Sequence, residues 1–128
     1  MAEAEKITIN MNVVDLGKVD LLVEEGFYTN RTDFIRTAIR NQLMKHEDEV
    51  SRSIGRRQMF IGIIHYGRSE LEEFRDGGEM LDINITGLFS LGNDVPPELA
   101  RAVIKSVKIV GVFRASQAVK DALRDRIR

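Results

Sequence analysis

Polar and apolar side chains alternate strictly over Lys6-Ile7-Thr8-Ile9-Asn10-Met11, and apolar residues then recur at helical spacing as far as Leu43. In a strand this alternation puts Ile7, Ile9 and Met11 on one face and Lys6, Thr8 and Asn10 on the other. The strand has no partner nearby in its own chain. Two copies paired antiparallel would set their apolar faces against helices and expose a two-stranded ribbon of polar side chains. Such a ribbon fits the major groove of DNA. After the strand, Asn12 is a helix N-cap, with Asp15 three positions on to complete a capping-box-like pair. Val13, Leu16, Val19, Leu22 and Val23 form the buried stripe of this first helix. Gly17 weakens it, and Gly26 ends it as a C′ residue.

Phe27-Tyr28-Thr29 connects to a second helix, capped by Asn30 and answered by Asp33. Phe34, Ile35, Ala38, Ile39 and Leu43 supply its apolar face, Arg36, Arg40 and Lys45 lie elsewhere, and it is expected to run to about His46. Three short elements cannot bury enough apolar surface to be stable alone. Burial therefore argues for an obligate dimer sharing strands and helices.

The strand Lys6–Met11, the helix ending at Gly26, and the opening Asn30-Arg31-Thr32-Asp33-Phe34-Ile35-Arg36 resemble the ribbon-helix-helix bacterial repressors of the CopG, Arc and MetJ type. The resemblance covers residues 5–48. It implies an intertwined dimer that reads operator DNA. Lys6, Thr8 and Asn10 match the strand residues that touch base edges. Thr29, Asn30, Arg31 and Thr32 match the start of the second helix, which holds a DNA phosphate. The physics agrees, because a helix N-terminus offers unpaired N–H donors and positive potential. Many members carry a proline just after the strand. Asn12-Val13 stands there in this chain, a departure that bears on where the first helix begins.

Ser51-Arg52-Ser53-Ile54-Gly55-Arg56-Arg57 is polar, contains a glycine and separates two hydrophobic patterns, so residues 51–57 are expected to be a junction between domains 1–50 and 58–128. Beyond it lies an internal repeat. Ile61–Gly67, Thr86–Gly92 and Val110–Ser116 each read as an apolar strand around a glycine, and Gly62, Gly87 and Gly111 are 25 and 24 positions apart. Helices are expected at about Ser69–Arg75, Pro96–Lys105 and Gln117–Arg126. Strand–helix units at fixed period predict parallel strands stacked in register. Phe60, Tyr66, Phe74, Phe89 and Phe113 are expected in the core. The predicted class is α+β, an N-terminal β-α-α dimerisation and DNA-binding unit followed by an α/β domain that assembles subunits or binds an effector.

Charge complicates the DNA reading. The chain carries −1 overall, and residues 1–50 hold six basic and ten acidic residues, a balance of −4. DNA-binding domains are more often basic, so Glu24, Glu25, Glu47, Asp48 and Glu49 must lie away from the binding face. There is no cysteine, which excludes disulfides and thiolate metal sites and points to a cytoplasmic setting. No apolar run approaches a membrane span. His46 and His65 are 19 positions apart without a partnering ligand, and no catalytic set, phosphate loop or zinc spacing can be assembled. The expected protein is not an enzyme and needs no metal or cofactor. It is a DNA-binding transcriptional regulator, most simply a repressor, with double-stranded operator DNA and further copies of itself as partners. The alternative is an antitoxin that binds its own operator and neutralises a partner protein through the C-terminal domain.

Overall fold

The computed structural model describes residues 4–128, and the chain divides after Arg52 into two compact units, the second being Ser53–Arg128. In the first unit, α1 runs Val13–Glu24 and α2 runs Arg31–Lys45. Asn12 caps α1 through its side-chain oxygen, which accepts from the Val14 amide at 2.8 Å and the Asp15 amide at 3.3 Å. Asp15 thus contributes an amide to the cap. At the other end Gly26 takes φ +86°. The Phe27 amide donates to the Leu22 carbonyl at 3.0 Å and the Gly26 amide to the Val23 carbonyl at 3.1 Å, the paired bonds of a Schellman stop.

The expected strand Lys6–Met11 is absent. Residues 4–12 have no regular secondary structure. A strand exists by hydrogen bonding to a neighbour, and nothing in a single copy offers that edge. The stretch 51–57, expected as a junction, is helical here: α3 runs Glu47–Arg57. Glu47, Asp48 and Glu49 fill its first turn and Arg56 and Arg57 its last, so both ends match the helix dipole and offset the weak propensity of Ser51, Ser53 and Gly55.

The second unit is a two-layer α/β sandwich. Strands β1 (Phe60–Tyr66), β2 (Leu81–Leu91) and β3 (Ile104–Arg114) form one parallel sheet in the order 1-2-3. Helices α4 (Arg68–Asp76), α5 (Pro97–Val103) and α6 (Gln117–Ala122), with a 3-10 turn over Arg124–Arg126, follow them. β2 and β3 begin five and six residues before the expected starts, and β3 takes over from α5 at Ile104, which cuts that helix short of Lys105. The apolar–polar alternation of Asp82-Ile83-Asn84-Ile85 already belongs to the sheet.

The repeat glycines pair directly, Gly62 with Gly87 and Gly87 with Gly111. Their φ values are +150°, +138° and +131°. A Cβ on Gly87 would lie 2.1 Å from the Gly62 carbonyl oxygen, and one on Gly111 would lie 2.1 Å from that of Gly87. Gly87 and Gly111 are therefore required twice, by backbone conformation and by close approach, and Gly62 by backbone conformation.

On one face of the sheet, Ile83, Ile85, Phe89, Leu91 and Val107 pack against Leu71 of α4, Leu99, Ala100 and Val103 of α5, and Val119 and Leu123 of α6. Phe89 is fully buried and stacks on Phe113, with centroids 5.3 Å apart and planes 20° apart. Tyr66 meets Phe74 and Phe89 edge-on. Phe60 does not join them. It lies exposed at the start of the edge strand β1. The opposite face carries Ile61 and Ile63 of β1, 56% and 52% exposed, with Leu88, Val110 and Val112 beside them.

The entry to β1 is held from β2. Gln58 takes φ +54°, and the Asn84 side chain donates to the Arg57 and Gln58 carbonyls at 3.0 and 3.1 Å. A left-handed non-glycine residue costs about 1–2 kcal/mol. Gln58→Gly is thus expected to raise stability by up to about 1 kcal/mol in chemical denaturation. A clear loss would show that the Gln58 side chain matters more than its backbone.

Candidate nucleic-acid interface

The N-terminal unit buries very little of its apolar surface. Val19 is the one buried hydrophobic residue among its described positions. Ile7, Ile9, Val13, Val14, Leu21, Phe27, Ile39, Leu43 and Met44 are all exposed, Val13 to 81% and Ile7 to 72%. Lys6, Thr8 and Asn10 are exposed too, so a single copy does not sort the segment into a wet and a dry face.

Thr29, Asn30, Arg31 and Thr32 converge at the start of α2 and are exposed. The Asn30 side chain accepts from the Asp33 amide at 2.8 Å, and the Asp33 carboxylate accepts from the Thr29 amide at 2.9 Å. The acidic residue therefore reaches back one position further than a standard capping box. The first helical bond is the Phe34 amide to the Asn30 carbonyl at 3.2 Å. The amides of Arg31 and Thr32 precede it and have no helical carbonyl four residues back, so they are donors at the positive end of the helix beside the Thr32 hydroxyl. Tyr28 braces this corner edge-on against Phe34, with centroids 4.9 Å apart.

The Arg31 side chain is directed elsewhere. Its Nε and Nη2 donate to the two Asp20 carboxylate oxygens of α1, both at 2.8 Å. This forked bond, more than simple charge attraction, holds the Asp20 carboxyl below its ordinary range and the Arg31 guanidinium above its own. Both groups face solvent, so the pair serves chiefly to fix where α2 begins relative to α1. A phosphate at this corner would meet backbone amides and Thr32 first. Asp20 was not legible as a partner, because the pair joins residues 11 apart on two different helices.

Among the described residues no helix is long and apolar enough to cross a membrane, and no group of three or more His, Cys, Asp or Glu is placed to hold a metal ion. Compared with protein families, residues 2–120 match the model of the ribbon-helix-helix transcriptional regulator family. The match runs well past residues 5–48, where the sequence resemblance was read, and takes in nearly all of the strand–helix repeat. Comparison with curated proteins and with solved structures finds no match.

Proposed function

Since the chain belongs to the ribbon-helix-helix transcriptional regulator family and is a DNA-binding regulator, we propose that it is a cytoplasmic repressor whose Lys6–Met11 segments pair antiparallel between two copies. The observation that carries this reading is the exposed apolar surface of the N-terminal unit. Pairing gives Ile7, Ile9 and Met11 something to cover, and the helices cover one another. Lys6, Thr8 and Asn10 then face the major groove. Asparagine suits adenine, lysine suits guanine or a phosphate, and threonine can donate or accept. The Arg31 and Thr32 amides, with Thr29 and Asn30 beside them, seat a backbone phosphate.

The C-terminal unit is proposed to join dimers. Parallel sheets are normally covered on both faces, and this one has helices on only one. A second copy of the face bearing Ile61, Ile63 and Val110 suits it, since an isologous contact is self-complementary. Linking two dimers raises effective concentration on tandem sites, which short ribbons need.

Selection of genomic fragments by the purified protein, at two salt concentrations, tests the reading. The expected product is a palindromic pair of half-sites whose affinity falls steeply with salt. Asn10→Ala should relax the preference at one base pair per half-site by about 1–3 kcal/mol. An unchanged preference over randomised sites would remove Asn10 from base recognition.

A further inference from the structure

The amino ends of β2 and β3 carry polar side chains on the sheet face that has no helices. Asp82 and Asn84 alternate with the buried Ile83 and Ile85, so they stand on the opposite face. The register sets Asp82 beside Ser106 and Asn84 beside Lys108. It shifts between Leu81 and Asp82, whose partners are Ile104 and Ser106, so Lys105 is an extra residue in β3, a bulge. Lys105 and Ser106 both stay out of the core, between the buried Ile104 and Val107. A cavity of about 380 Å³ opens here, lined chiefly by Asp82, Asn84, Lys105, Ser106, Lys108 and Arg128. The Ser106 hydroxyl donates to one Asp82 carboxylate oxygen at 2.6 Å, which leaves the other oxygen to accept. The Asn84 amide nitrogen is committed to the Arg57 and Gln58 carbonyls, while its oxygen is shielded from water and accepts nothing from the described residues. Buried polar atoms are rarely left so, because the lost hydration is not replaced. Lys105 and Lys108 are exposed and form no ion pair among the described residues.

We infer that this cavity binds a small zwitterion, a free α-amino acid, as an effector. Its ammonium group donates to Asp82 and to the Asn84 oxygen, and the flexible Lys105 and Lys108 move aside to admit it and close on its carboxylate. A simple anion would meet the Asp82 charge, and a simple cation would meet the lysines. A molecule carrying both charges sets each against its opposite. Asn84 also holds the two carbonyls through which α3 passes into β1, so an occupant drawing on its oxygen is felt at the end of α3. The cavity belongs wholly to the C-terminal unit, and the inference stands apart from how the N-terminal unit reads DNA.

The test is a titration of the isotope-labelled full-length chain with the common L-α-amino acids, one at a time, at constant ionic strength. At least one is expected to saturate, with amide shifts centred on Asp82, Asn84, Ser106 and Lys108 and reaching Arg57 and Gln58. Its N-acetyl form and its carboxamide should each bind at least about tenfold more weakly. Asp82→Asn should lose about as much, and so should Lys105→Gln with Lys108→Gln. All three side chains are exposed, and asparagine keeps an oxygen for the Ser106 hydroxyl, so the parent spectrum outside the cavity is expected to persist and shows that the variants are folded. No saturation by any amino acid up to about 10 mM overturns the site. So do blocked forms that bind as well as the free amino acid, variants that bind as the parent does, or shifts centred elsewhere, such as around His65 and Ser90.

Discussion

Gly87→Ala is expected to unfold the C-terminal unit, or nearly so. The added Cβ would sit 2.1 Å from the Gly62 carbonyl oxygen, which is backbone in the neighbouring strand and cannot rotate aside. The residue would also have to hold φ near +138°, which side-chain-bearing residues avoid. Relief requires β1 and β2 to part, and they are paired over seven successive positions from Phe60 to Tyr66. A loss of about 4 kcal/mol or more follows, in the exceptional range that overpacking and strain at a special φ/ψ can reach. A unit spanning Ser53–Arg128 is held by roughly 4–11 kcal/mol in total. Thermal melting and amide exchange on β2 and β3 provide the measurement. Gly62→Ala is the internal comparison, because its Cβ meets only the Phe60 ring edge, 3.1 Å away, and that ring can move. A Gly87→Ala protein melting with the parent would mean that the glycine ladder is not the constraint described above.

The second large effect concerns the N-terminal unit. Ile9→Asp is expected to abolish specific DNA binding while leaving α1 and α2 of a single copy little changed. In one copy Ile9 is exposed, so a carboxylate there costs nothing. In the proposed paired ribbon Ile9 lies on the dry face, where an unpaired charge costs several kcal/mol per copy, twice over in a dimer. Dimerisation and DNA affinity should fall together, by about a hundredfold for each 2.8 kcal/mol lost. Sedimentation and operator binding measured on the same preparation check both. A variant that stays dimeric and binds its operator as the parent does would place Ile9 outside the interface and sink the ribbon. Thr8→Asp behaves differently under the same proposal. It should leave the dimer intact and weaken only DNA binding, because its side chain points to the groove.

The two predictions rest on different degrees of legibility. The repeat was readable because a glycine in a tight sheet leaves a mark at a fixed interval, and Gly62, Gly87 and Gly111 do occupy equivalent paired positions. The caps were readable for the same local reason: Asn12, Gly26 and Asn30 each satisfy or redirect backbone within a few residues. The helix through 51–57 was not legible because Ser and Gly lower helix propensity. The charges matching its dipole act at both ends of an 11-residue segment, outside any short window. His65 reads in sequence as a histidine without a partner, since Ser90, whose hydroxyl lies 3.0 Å from its Nδ1, comes 25 residues later.

Backbone conformations chosen within a turn or two were therefore written in the chain: where helices begin and stop, where φ must be positive, and which segments alternate. Each depends on one residue's own stereochemistry and its nearest neighbours. Strand adjacency, the fork between Arg31 and Asp20, the meeting of His65 and Ser90, and the sheet face left without helices emerged only on folding. Those features depend on which distant segments come to share hydrogen bonds, and no local preference encodes that choice.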